Sequence, residues 1–321
     1  MALRLALIML AAWALRRELT GVQIGELLRH LRAYGWRHAT LALGATVASF
    51  LTLGGIETLA LRYAARDMRV PRRAAMTTGF VAHAISQSVG FALLTGAAVR
   101  LRAYARYRLD TSAIARTSGF VTLTVTLGLL ACGAGALLAC AQPLILGGRR
   151  IHTLLLGISL ALVVVAYLAW SALATGDTIG RGRWQLRRPS GRAALGQLLL
   201  SASDWLLTGA VLLALLPVGT GLGFGAMMRA YLLAQTAGMA SHVPGGVGVF
   251  EAVMITLLAP GDATQRISIV AALVMFRVVY YLLPLVAAVA VGAVTELLPS
   301  RMRRVRSVAP IDGGVQVHHA G

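Results

Sequence analysis

Ser241-His242-Val243-Pro244-Gly245-Gly246-Val247-Gly248 interrupts an apolar run that otherwise extends from about residue 226 to 260. A proline and three glycines within five residues end a helix, because proline has no N–H to donate and glycine loses the most backbone entropy on ordering. Inside hydrocarbon the freed backbone groups find no water, so such a break persists only where protein or a hydrated cavity covers it. Each half of the run is about 12–15 residues long, short of the roughly 20 a crossing helix needs. The stretch reads as a re-entrant helical hairpin.

The rest of the chain supports a membrane setting. It has 321 residues, 58% of them hydrophobic and 13% charged, with a mean hydropathy of +0.75. Soluble domains carry about 25% charged residues, so most of this chain is not facing water. A sizeable soluble domain is excluded, and with it a separate globular catalytic module. Further apolar runs lie at about 39–61, 74–99, 117–141, 151–175, 193–217 and 266–295. The run 74–99 is also interrupted, by Ser86-Gln87-Ser88 and Gly90, and reads as a second hairpin. The fold class expected is all-α: a polytopic membrane helical bundle.

Charge orients it. All 30 basic residues are arginine, against 11 acids. A net charge of +19 suits nucleic acid, but arginines gathered in the loops of an apolar bundle are the positive-inside pattern. No nucleic acid is expected as a direct partner. Five arginines flank the run 74–99 on each side; a hairpin leaves both clusters inside, whereas a crossing would expose one. With both hairpins in place, 20 arginines are cytoplasmic and nine are outside. Five of those nine lie in the first loop, which fits the bias poorly.

Span 39–61, hairpin and span 117–141 form one triplet. After a linking span at 151–175, span 193–217, hairpin and span 266–295 form a second, upside down relative to the first. Inverted repeats with broken helices at matching positions are a transporter architecture, with the site at the breaks. The expected division is an N-terminal anchor and interfacial helix at 1–38, a transmembrane unit at 39–295, and a basic tail at 296–321. Within the unit, repeat one covers about 39–141 and repeat two about 193–295. Ala12-Trp13-Ala14 leaves open whether the first run is cleaved or retained.

Ionisable residues inside apolar runs mark candidate sites, since each costs about 2.5–3.5 kcal/mol or more at mid-helix. They are Glu57, Asp204, Glu251 and Arg277. Two readings stand: structural ion pairs, such as Glu251 with Arg277, or a polar cavity for a charged cargo. On the second, the three acids suit an ammonium group. The returning half of the 226–260 hairpin, beginning near Gly246, presents free N–H groups suited to a phosphate. Gly245, Gly246 and Gly248 allow close approach of a ligand. His242 titrates near neutrality or simply bonds the helix end. Cys132 and Cys140, about 12 Å apart along one helix, cannot bridge. No metal site or cofactor is expected, and Gly219, Gly221, Gly223 and Gly225 follow no strand, so they make no nucleotide loop.

Several stretches resemble a known family. Leu59-Ala60-Leu61-Arg62-Tyr63, Ser88-Val89-Gly90-Phe91, Thr95-Gly96-Ala97-Ala98-Val99-Arg100, Ser203-Asp204-Trp205-Leu206, Ser241 to Glu251 and Arg277-Val278-Val279-Tyr280-Tyr281 are similar to the transmembrane region of lysylphosphatidylglycerol synthases. The resemblance is to the flippase half of the multiple peptide resistance factor and covers nearly the whole chain. It implies a flippase that moves aminoacyl-phosphatidylglycerol to the outer leaflet of the bacterial cell (inner) membrane. The family's membrane carboxylates and arginine fall on Glu57, Asp204 and Arg100. With Pro244 in the hairpin motif, and Arg277 and Tyr281 in the last one, these complete the candidate set. Ile56-Glu57 and Ser86-Gln87-Ser88 depart from the usual motifs, and the chain stops where the bifunctional relatives continue into a soluble aminoacyltransferase. A transporter rather than an enzyme is expected. The alternatives are a membrane subunit of a separate lipid aminoacyltransferase, or a carrier of another lipid or solute.

Overall fold

The computed structural model describes residues 24–297, apart from 66–68, 90–91, 140–143, 147–148, 177, 180–185, 217–222, 242 and 259–262. Among the described residues, five helical segments are long and apolar enough to cross a membrane: Trp36–Ala64, Thr111–Ala139, Thr153–Leu173, Gly191–Leu215 and Ser268–Ala293. They fall on the five uninterrupted runs of the sequence, and the molecule is an all-α multi-pass membrane bundle. The anchor and tail expected at the ends lie, for residues 1–23 and 298–321, outside the described residues.

The first helix, α1, runs from Ile24 to Ala64 without a break. The boundary expected at residue 38 therefore falls inside one continuous helix. A single Gly35 is too weak a breaker to separate an interfacial segment from the span. The first hairpin follows as α2 (Arg72–Val89) and α3 (Ala92–Tyr104), which pack on each other. Ser86-Gln87-Ser88 does not break α2. Ser88 donates to the Ala84 carbonyl one turn back, the usual way a helix absorbs a small hydroxyl, and α2 continues to Val89. At 18 residues this half is longer than the sequence suggested.

Helix α4 (Thr111–Ala139) completes the first group, and its start is capped by Asp110, whose carboxylate accepts from the Ala113 N–H at 3.0 Å. A short antiparallel ribbon, β1 (Leu144–Leu146) with β2 (Arg149–Ile151), leads to α5 (Thr153–Leu173). Only Thr153, Gly157, Val164 and Ser171 of α5 are buried. Most of its leucines, with Val163 and Val165, face outward, as on a span surrounded by lipid. A second ribbon, β3 (Thr178–Ile179) with β4 (Leu186–Arg187), precedes α6 (Gly191–Leu215), whose N-cap Ser190 accepts from Ala193.

The second hairpin is α7 (Phe224–Ala240), a 3-10 turn at Pro244–Gly246 and α8 (Val249–Leu258). Here the sequence located the break correctly. Gly245, Gly246 and Gly248 have φ of 67°, 62° and 87°, a left-handed backbone that side-chain-bearing residues rarely adopt. A Cβ on Gly246 would also stand 3.2 Å from the Gly238 Cα, so the tip folds tightly against α7. The last span joins α9 (Ala263–Phe276) to α10 (Leu283–Leu297) through a π-helical turn, Arg277–Leu282.

Helices α1 and α6 pack along each other at the centre, α4 packs on both, and the second hairpin's tip packs against α2. The close fit of α4 on α6 depends on Gly128, where a Cβ would meet Ser201 at 2.6 Å. Small residues at helix contacts are how membrane helices gain van der Waals contact without a hydrophobic driving force.

A cavity between two hairpins

Glu57, on α1, is fully buried. Arg100 of α3 closes on it with Nε 3.0 Å from both carboxylate oxygens and Nη2 2.7 Å from Oε2. The Tyr104 hydroxyl donates to Oε1 at 2.8 Å. Helix α2 comes close only because Gly79 has no side chain: a Cβ there would lie 2.8 Å from the Glu57 Cβ. Charge and lone pairs of Glu57 are thus satisfied within the protein.

Glu251 is held in a comparable way. Arg277, at the start of the π turn, donates from Nε to Oε1 at 2.8 Å, and its Nη1 reaches the Gly245 carbonyl at 2.8 Å. Glu251 Oε2 accepts from the Gly248 N–H at 2.7 Å, the reach-back of a capping box. The guanidinium lies over the rings of Tyr281, at 4.7 Å, and Phe250, at 5.5 Å. The ion-pair reading of Glu251 and Arg277 is the observed geometry. Glu251 thus occupies the Gly248 N–H at the start of α8, and the Gly246 N–H is bonded to the Val243 carbonyl at 2.8 Å, so neither of these two is free for a phosphate.

Asp204 differs from both. It sits mid-way along α6 and is 6% exposed. Its side chain accepts from Ser49 of α1, and Ser49 in turn lies 2.9 Å from the Tyr280 hydroxyl of the π turn. Thr208, one turn along α6, bonds both Tyr280 and the Asp204 carbonyl at 2.8 Å. Its salt-bridge partner is absent among the described residues; hydroxyls surround it instead.

These groups meet a cavity of about 650 Å³, within the range of small-molecule and cofactor sites. Both hairpins line it, as do α1, α4, α6, α7 and the π turn. Of the candidate residues, Arg100, Asp204, Gly245, Gly246 and Tyr281 face it. Glu57 and Gly248 do not, and Glu251 with Arg277 instead borders a small apolar cleft of about 100 Å³. Pro244 forms part of the tip turn, and His242 lies outside the described residues. Two further lining residues stand outside the candidate set. His83 and Gln87, one turn apart on α2, both face the cavity. His83 Nε2 and Gln87 Oε1 are buried without a hydrogen-bond partner among the described residues. Their i, i+4 spacing in an apolar run was the available signal.

This arrangement can be set beside known proteins. The family described as "Lysylphosphatidylglycerol synthase TM region" matches residues 1–288. The chain belongs to that family. Within it, an uncharacterized protein of Synechocystis is 33% identical over 303 residues, covering 89% of this chain and 92% of its own length. Inner membrane protein YbhN of Escherichia coli is 30% identical over 286 residues, covering 88% of each. A phosphatidylglycerol lysyltransferase of Staphylococcus xylosus is 31% identical over 91 residues, which are 28% of this chain and 11% of that protein. The family match thus covers nearly the whole chain.

Proposed function

We propose that the protein is a flippase-like lipid transporter of the bacterial inner membrane. Its cargo would be aminoacylated, lysyl-type phosphatidylglycerol, carried to the outer leaflet, where it lowers negative surface charge and blunts cationic peptides. The observation that carries this reading is Asp204, an acid without a cation partner among the described residues, on the wall of a 650 Å³ cavity. A buried charge without its counter-charge is expensive, and a cationic head group supplies one. Arg100 on the same wall suits the phosphate, His83 Nε2 can donate to an ester oxygen, and Gln87 Oε1 can accept from a glycerol hydroxyl.

The order of elements supports two repeats, about 39–141 and 193–295, joined by the span 151–175. Two crossings, 117–141 and 151–175, lie between the equivalent spans 39–61 and 193–217, and an even number inverts one relative to the other; rocking the halves about the cavity would give alternating access. In this reading the chain is a transporter, and the aminoacyl transfer is made elsewhere.

The test compares cells expressing wild-type and Asp204→Asn protein at matched levels, with lysyl-phosphatidylglycerol on the outer face read by a membrane-impermeant amine reagent. A tenfold or greater loss of outer-face lipid is expected. Equal outer-face lipid in the two strains rejects the reading.

The match to a lysyltransferase segment favours a second reading, a membrane subunit that feeds a separate lipid aminoacyltransferase. Loss of total product on deletion, with the synthase co-purifying, distinguishes it from transport.

A further inference from the structure

Two of the three membrane-embedded acids resolved by the structure are neutralised in place: Glu57 by Arg100 at 2.7 Å and Glu251 by Arg277 at 2.8 Å. Asp204 is the third. The ionisable or polar groups that face it are Ser49 and Thr52 from α1, Cys132 from α4, Tyr231 from α7 and Tyr280 from the π turn. None of these carries a positive charge. His83 and Arg100 share the cavity wall, and Arg100 is engaged by Glu57.

We infer that Asp204 holds a proton while the cavity is empty and gives it up to solvent when an ammonium group of the cargo takes its place. The protein would then exchange one proton for each cationic head group it carries. This inference rests on the transport reading above and adds its energy coupling.

The hydroxyls around Asp204 fit a neutral acid. Ser49 donates to Oδ1. The neighbouring Thr52 directs its hydroxyl proton to the Ser49 carbonyl at 2.7 Å. Among the described residues the carboxyl group therefore has one hydroxyl donor and no cation, too little to hold a bare carboxylate between packed helices. With an ammonium bound, the cation supplies the donors and the carboxylate needs none. Either state leaves the centre of α6 with no net charge, whereas the empty carboxylate would be an uncompensated ion between packed helices. The step breaks only the O–H bond of Asp204: the proton passes to water, and the carboxylate pairs with the arriving ammonium. Coupling follows because the bare ion is the disfavoured state in both directions.

The experiment uses the full chain in phosphatidylcholine nanodiscs at neutral pH. Infrared difference spectra are recorded on adding lysyl-phosphatidylglycerol, phosphatidylglycerol or the soluble amine lysine ethyl ester. The expected result is a protonated-carboxyl band that is absent from Asp204→Asn. Lysyl-phosphatidylglycerol abolishes it and phosphatidylglycerol does not. A pH indicator registers about one proton released per head group bound, a readout that needs no variant. The inference is overturned if the empty protein shows no such band, or if the band persists at saturating levels of both amines. Persistence of the band alongside Asp204-dependent outer-face lipid removes the exchange and leaves the lipid reading intact. Loss of the band to lysine ethyl ester alone keeps the exchange and removes the lipid reading.

Discussion

Arg100 and Asp204 lie on one cavity wall and have opposite relations to the fold. Truncating Arg100 to alanine strands the Glu57 carboxylate, fully buried and bonded otherwise to Tyr104. Loss of one member of a buried pair costs about 3–5 kcal/mol, so Arg100→Ala should unfold at markedly lower temperature in detergent. The double variant Glu57→Gln, Arg100→Gln should recover part of that loss, because no bare ion remains. Asp204→Asn keeps the size of the side chain and an acceptor for Ser49. It should unfold within a few degrees of wild type while abolishing transport; a large fall in stability would mark Asp204 as a packing residue. The sequence could show Asp204 because an acid in an apolar run is conspicuous. It could not show Ser49 or Tyr280, which are ordinary in a membrane helix and acquire meaning only from partners 155 and 231 positions away.

At the scale of the elements, the two hairpins differ in how their breaks are written. Pro244 to Gly248 was legible because proline and glycine act on the backbone directly, wherever they occur. Ser86-Gln87-Ser88 makes no break, because a small hydroxyl bonds back to its own helix; α2 ends at Val89, next to the Gly90 that the sequence also marked. The tip glycines give a sharp test. Gly246→Ala places a side chain at a φ of 62° and 3.2 Å from Gly238. It should cost about 1–3 kcal/mol in a thermal melt, whereas Gly44→Ala, with open space around it, should be neutral or stabilising. Outside the membrane, Asp110 at the start of α4 gives a pH signature. The Ser112 hydroxyl, then the Ala113 N–H and the Arg116 charge, hold its carboxyl below the usual aspartate value of 3.8. A lowered folded value means its contribution is full above that pH and fades as pH falls through the folded value. Asp110→Asn should flatten this acid limb of a stability-against-pH curve and leave the neutral region little changed.

Across the whole molecule, the length of the uninterrupted apolar runs marked the five spans, and the exposed leucines of α5 suit a helix that faces lipid. The orientation rests on arginine placement and makes a direct forecast. In a chain with Cys132 and Cys140 replaced by alanine, single cysteines at positions 69 and 105 flank the first hairpin, and those at 223 and 263 flank the second. An impermeant maleimide added to intact cells should label 223 and 263 only, with 69 and 105 reacting after permeabilisation. Labelling of 69 and 105 on opposite faces would turn the first hairpin into a crossing and dissolve the repeat. The pairing of Glu251 with Arg277 was among the readings of the sequence, but that of Glu57 with Arg100 was not, since pairing depends on which arginine the folded bundle brings near.

The wide turn at Arg277–Leu282 has a mechanical corollary. The span that contains it answers to two masters: Arg277 grips the Gly245 carbonyl on one side, and Tyr280 meets Ser49 on the other. A regular helix advances each residue by about 100°, so excising a single valine from 277–282 would bring the ladder back into step and swing one of those side chains off its partner. The surplus residue acts as slack in a tether, letting one rod keep hold of both the broken loop and the first span.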